Sequence, residues 1–157
     1  MWQVITETLA SEFSDLPDAA QVTRIVLRLL IAALLGGILG YERELQGKAA
    51  GVRTHMLVAL GAALFVLVPQ QAGVSGADMT RVIQGVVAGI GFLGAGAIIK
   101  GSAEESVKGL TTAAGIWLTA AIGIACGLGR EATAVLSALL AFAILALVPH
   151  LTRLRDN

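Results

Sequence analysis

Charge is scarce in this sequence. Asp, Glu, Lys and Arg make up 14% of its 157 residues, where a soluble domain carries about a quarter. The hydrophobic share is 56% and the mean hydropathy is +0.81, values that place the chain in a membrane rather than in water. Nor is there an excess of either sign. Eleven Lys and Arg balance eleven Asp and Glu, so no overall field draws the chain to a polyanion, and a nucleic-acid role is excluded. Cysteine is almost missing. Cys126 has no second thiol for an internal disulfide, and with only His55 and His150 a Cys/His zinc cluster is excluded too. No metal and no cofactor are expected. What the chain does hold is 19 glycines, many of them within apolar stretches, a composition suited to helices whose backbones meet closely in lipid.

The gaps between ionisable residues locate the spans, because a bilayer core of about 30 Å takes roughly 20 apolar residues of helix. Arg53 to Asp78 encloses 24 uncharged residues, Arg81 to Lys100 encloses 18, and Lys108 to Arg130 and Glu131 to Arg153 enclose 21 each. Val22 to Gly40 adds a stretch of 19 residues marked only by Arg24 and Arg28. The expected fold is an all-α integral membrane bundle of five transmembrane helices, about 22–40, 54–72, 82–99, 109–128 and 132–149, within a domain at 22–149. A short tail at 150–157 follows.

Short cytoplasmic loops collect Lys and Arg. Arg43, Lys48, Arg53, Lys100, Lys108, Arg153 and Arg155 fall on one side, and Arg24, Arg28, Arg81 and Arg130 on the other. That asymmetry predicts an outside amino terminus and a cytoplasmic carboxyl terminus. Residues 1–20 carry no basic residue, so a cleavable signal peptide is not expected. Trp2, Ile5, Leu9, Phe13 and Leu16 share a helix face amid acidic neighbours, which predicts an amphipathic helix on the outer membrane surface.

Ionisable residues inside spans are costly and so are functional candidates. Arg24 and Arg28 share a face near the outer end of the first span. Either side chain can snorkel to headgroups, and the deeper Arg28 can instead take a partner such as the amide of Gln84 or an outer acid. Gln84 itself reads as interhelical glue or as a ligand contact. The richest polar run is Tyr41 to His55. Glu42 stands near a helix carboxyl end, where the macrodipole disfavours an anion, so a cation such as Arg43, Arg53 or Lys108 should pair with it. Arg53 and Thr54 open the second span, and Lys108, Thr111 and Thr112 open the fourth, both at helix amino termini suited to anions. The bland alternatives are topology-setting charges and helix caps. Glu42, Arg43, Arg53, Thr54, Lys108, Thr111 and Thr112 form the candidate polar cluster.

Glycines recur four apart at Gly36/Gly40, Gly85/Gly89 and Gly123/Gly127, the spacing of small-residue helix contacts within a bundle or between subunits. Bulk at Gly89 is therefore expected to do more damage than bulk at Gly73 in an outer loop. Gly89, Gly91 and Gly94 match a dinucleotide-binding pattern in form only, since no strand precedes them in a charge-free span. A local helix break is the other reading of this segment.

Three segments resemble the MgtC/SapB family of bacterial inner-membrane proteins. They are Glu42-Arg43-Glu44 with Gly47 to His55, then Gly89-Ile90-Gly91-Phe92-Leu93-Gly94-Ala95-Gly96, then Val107 to Trp117 continuing to Ala121-Ile122-Gly123. The resemblance spans roughly residues 22 to 148. It implies five spans and a non-enzymatic, regulatory role in adaptation to low magnesium or acid and in survival inside macrophages, exerted on other membrane proteins such as the ATP synthase. It also implies the short SapB/YhiD-like form, because some members carry a soluble ACT-like carboxyl-terminal domain and only eight residues follow Pro149 here.

Three functional classes compete. A regulatory membrane protein, embedded in the bilayer as a homo-oligomer and contacting other membrane proteins, fits the glycine-lined faces. A small ion or solute transporter or channel fits Arg28 and a polar cytoplasmic mouth. An enzyme is not expected, because neither histidine lies in a recognisable nucleophilic arrangement.

Overall fold

The computed structural model describes residues 1–12, 14, 18–100 and 107–155. It is an all-α integral membrane bundle. Helix α1 spans Trp2–Glu12, α2 Ala19–Leu45, α3 Val52–Gln71, α4 Gly76–Gly96, α5 Leu110–Gly127 and α6 Glu131–Arg155. The last five are each long and apolar enough to cross a bilayer. Between α4 and α5 lies one short antiparallel ladder, β1 Ile99–Lys100 with β2 Val107–Lys108, pairing Ile99 with Lys108 and Lys100 with Val107.

Several helices overrun the charge-free gaps. Asp18 caps α2, its Oδ1 accepting from the Gln21 amide at 2.6 Å. At the other end α2 continues past Gly40 to Leu45, carrying Glu42 and Arg43 within the helix. Helix α4 starts at Gly76, six residues before the uncharged stretch at 82, and includes the exposed pair Asp78 and Arg81 at 2.7 Å. Helix α6 continues through Pro149 to Arg155, so residues 150–155, expected as a tail, extend the last helix. Proline's fixed φ is compatible with a helix even though its missing N–H weakens the ladder. In α1 no residue is buried, and Trp2, Ile5 and Leu9 of the expected stripe all stand exposed. Phe13 and Leu16 of that stripe lie outside the described residues.

Helix α5 is the centre of the bundle and touches α2, α3, α4 and α6. The interior is built of small side chains: Ala32, Ala59, Ala63, Cys126, Ala134, Ala138 and Ala141 surround Leu35, Leu39 and Ile122. A second cluster, Ala62, Val66, Met79, Ala120 and Ile124, joins α3, α4 and α5. The bulky residues point outward, among them Leu30, Leu34, Phe65, Phe92 and Leu139, each more than 60% exposed. Lipid tails are as apolar as leucine, so close backbone packing rather than burial of large side chains holds such a bundle.

That packing depends on four of the expected glycines. A Cβ at Gly36 would lie 2.5 Å from the His55 carbonyl oxygen, and one at Gly40 would lie 2.7 Å from Val52 Cα. At Gly123 and Gly127 it would collide with the backbone of Ala59 and Ala63. Gly85 and Gly89 differ. Within this chain a Cβ at either meets nothing within 4 Å, because α4 turns this face into an open groove against α3 rather than onto a neighbouring backbone. Gly73 also has open space around it but has φ +82°, where a side chain is strained, so within one chain nothing ranks Gly89 as the more sensitive of the two.

Candidate functional site

The carboxyl ends of α2 and α4 and the amino ends of α3 and α5 lie at one end of the bundle. There Gly47 adopts φ +62°, turning the chain out of α2. The carboxylate of Glu44 reaches across and accepts from the Val52 amide at 3.0 Å, capping α3 where Gly51 has no side chain to do so. This cap was not foreseen; an acid eight residues before a helix start lies beyond local capping patterns.

Glu42 takes Arg43 as its cation. Arg43 Nε donates to Glu42 Oε2 at 2.7 Å and Nη2 lies 3.3 Å from Oε1, with Glu42 6% and Arg43 3% exposed. The pair is thus enclosed among α2, its turn and the neighbouring helices. Arg53, Thr54 and Lys108 are exposed.

The seven candidates do not converge on one point. Thr54 and Thr112 line a cavity of about 500 Å³ with Ala49, Ala50, Phe92 and Gly96. Thr112 also lines a second cavity, about 520 Å³, whose other walls are Gly47, Lys48, Ala49, Ala97, Lys108 and Gly109. These two spaces form a vestibule between the α2–α3 turn and the start of α5, with Lys48 added to the foreseen residues. Thr111 lies on another side of α5 and lines a small cavity of about 150 Å³ with His55. Successive helical residues are about 100° apart, and here that turn sets Thr111 and Thr112 to different cavities. His55, fully buried, was missed as a site residue; nothing in the sequence marks a histidine one turn into a span as enclosed.

At the opposite end Arg28 is held inside the bundle. Its Nη1 donates to Gln70 Oε1 at 2.9 Å and to the Gly127 carbonyl at 3.0 Å, and its Nε stands 3.6 Å from Glu131 Oε1. One guanidinium therefore ties α2 to the carboxyl ends of α3 and α5 and to the amino end of α6. The Gly127 carbonyl belongs to a helix carboxyl end, where a cation is electrostatically favoured. The amide partner is Gln70 and not Gln84, which is exposed on α4. Gln70 follows Pro69 at the end of a span, a position that gave no sign of facing inward.

Between these two polar ends the middle of the bundle is filled by Ala32, Leu35, Leu39, Ala59, Ala63, Ile122 and Cys126, each 7% exposed or less. Among the described residues no group of three His, Cys, Asp or Glu is placed to hold a metal ion.

A family model described as the MgtC family matches residues 29–154. Protein SrpB of Synechococcus elongatus is 50% identical over 114 residues, covering 64% of this chain and 63% of that protein. The Escherichia coli protein named "Putative magnesium transporter YhiD" is 38% identical over 134 residues, covering 81% of this chain and 61% of its own length. Protein MgtC of Brucella abortus is 44% identical over 126 residues, covering 80% of this chain and 51% of that protein. The chain thus spans between about half and somewhat under two thirds of these curated relatives. No solved structure matches it.

Proposed function

This chain belongs to the MgtC family, and from that premise we propose that it is a non-enzymatic regulatory protein of the bacterial inner membrane, acting on other membrane proteins during adaptation to low magnesium or acid. It is a multi-pass membrane protein. In the proposed orientation the amino terminus is outside and the vestibule opens to the cytoplasm, as the seven-to-four distribution of Lys and Arg favours. The chain works as a homo-oligomer in the bilayer.

The observation that carries this reading is the contrast between the two levels of the bundle. Its middle is packed with small apolar side chains, which supports a closed scaffold over a path for ions through one chain. Its vestibule carries Lys48, Lys108, Thr54 and Thr112, a surface suited to an anionic group on a partner. The second reading, transport, draws on the name of the YhiD relative and on Arg28 within the span.

Reconstitution separates them. Purified chain in liposomes loaded with a Mg2+ indicator is expected to admit no more Mg2+ than protein-free liposomes. In cells lacking the gene, growth under magnesium limitation should return with the wild-type chain and not with a Lys48→Ala, Lys108→Ala double variant of equal abundance. Protein-dependent Mg2+ entry overturns the regulatory reading in favour of transport.

A further inference from the structure

Among the described residues two buried side-chain polar atoms lack a hydrogen-bond partner, His55 Nε2 and Thr119 Oγ1. The regulatory reading uses neither. His55 is 0% exposed in the first turn of α3, and its Nδ1 lies 3.0 Å from the Gly51 carbonyl oxygen. A carbonyl oxygen only accepts, so Nδ1 carries the hydrogen, and in the neutral ring Nε2 holds the lone pair.

That lone pair faces α5 where there is no side chain. A Cβ at Gly115 would stand 3.5 Å from Nε2. The cavity of about 150 Å³ at this place is bounded by Leu39 of α2, His55 of α3, Thr111 and Gly115 of α5, and Ile144 of α6. Thr111, exposed in the first turn of α5, contributes a hydroxyl to the lining. Thr119 follows Gly115 by one turn on the ridge that continues to Gly123, which abuts Ala59 of α3. Both unpartnered atoms therefore belong to the α3–α5 seam.

A buried acceptor without a donor is costly. Water can remove that cost where a cavity offers it more than about 10–15 Å³ and polar neighbours; this cavity has the room, its polar neighbours are His55 and Thr111, and the rest of its wall is apolar. An ionisable side chain in a span reached by water is a natural place to hold a proton. The charged groups facing the ring are Glu42 and Arg43 of α2, already bonded to each other. Among the described residues that line this cavity, α5 contributes the Thr111 hydroxyl, and α6 contributes Ala141, Ile144 and Leu145. Among the described residues His55 is the one ionisable side chain that lines this cavity.

We propose that His55 is a proton-accepting site inside the bundle, fed by water that enters the cavity beneath Thr111. Hydronium at the inner end of the water column gives its proton to the Nε2 lone pair; an N–H bond forms, an O–H bond breaks and water remains. The imidazolium then donates from both nitrogens, through Nδ1 to Gly51 and through Nε2 to water. This places a second cation beside Arg43 and joins proton binding to the Glu42–Arg43 pair. The proposal does not depend on the regulatory reading.

The test uses the full chain with His150→Gln and 15N-labelled histidine, in lipid bilayers, by solid-state NMR. The ring should show an N–H at Nδ1 and a lone-pair nitrogen at Nε2, receive magnetisation from water, and convert Nε2 to N–H as the pH is lowered over the range in which the protein stays folded. Gly115→Val, which fills the space beside Nε2, should abolish the transfer from water. Thr111→Leu in the cavity lining should weaken it without touching the helix seam, and so serves if the glycine variant fails to fold. A ring that receives nothing from water, or that stays neutral as the folded protein is acidified, overturns the proposal. So does an N–H at Nε2 with the lone pair on Nδ1, or water transfer unaltered in the folded Thr111→Leu protein.

Discussion

Glu42 and Arg43, neighbours in sequence, close an ion pair upon themselves: Arg43 Nε lies 2.7 Å from Glu42 Oε2, and both side chains are less than a tenth exposed. Adjacent helical residues point about 100° apart, so the contact requires both side chains to bend into the same enclosed space. The pair occupies the last turns of α2, where the helix dipole favours Arg43 and disfavours an unpaired Glu42.

Breaking that pair on one side leaves a buried charge. Glu42→Gln or Arg43→Met alone should destabilise the chain by about 3–5 kcal/mol, while the double variant Glu42→Gln, Arg43→Met should lose less than the sum. Arg53→Ala, an exposed position, should change stability by no more than about 0.5 kcal/mol. Unfolding in a mixed-micelle denaturant series checks all four. Equal losses for Arg53→Ala and Arg43→Met would remove the distinction.

Glycine substitutions should divide by helix. Gly123→Val and Gly40→Val force the backbones of α3, α5 and α2 apart and should cost about 1–3 kcal/mol or prevent assembly. Gly85→Ala and Gly89→Ala meet open space within the chain and should be neutral or stabilising by up to about 1 kcal/mol through helix propensity. Monodispersity and thermal stability in detergent read both groups. A loss at Gly89→Ala as large as that at Gly123→Val would instead place Gly89 in a contact between subunits.

Arg28 should respond to its partners' loss. Arg28→Ala removes charge-assisted bonds to Gln70 and Gly127 and should destabilise by about 1.5–3 kcal/mol. Arg28→Lys should recover only part of this, because an ammonium cannot reproduce the planar fork that reaches three helix ends. Arg24→Ala, one turn earlier and exposed, should be silent. Thermal melts of the three variants in one detergent decide the order.

The proposed orientation is open to thiol labelling in a Cys126→Ser background, since the native thiol is buried. A cysteine at Ser75, between α3 and α4, should react with a membrane-impermeant maleimide on intact spheroplasts. One at Gln46, in the turn between α2 and α3, should react only in inverted vesicles. The opposite result inverts the bundle and places the vestibule outside.

The sequence by itself determined the five spans and their order, because the length of an uncharged stretch is compared directly with the thickness of a bilayer and needs no knowledge of neighbours. It also determined that Glu42 required a cation and that Arg28 required an explanation, since both follow from where a charge stands along its own helix. The tertiary structure alone decided who answers: Arg43 for Glu42, and Gln70, Gly127 and Glu131 for Arg28. It alone separated Gly36, Gly40, Gly123 and Gly127, pressed against other backbones, from Gly85 and Gly89, which share their spacing but face a groove. It alone enclosed His55 and set Thr111 and Thr112 to different cavities. Periodicity fixes which residues share a face of one helix, but the rotation of that helix and the identity of the helix opposite are set by the sum of close contacts across the whole bundle.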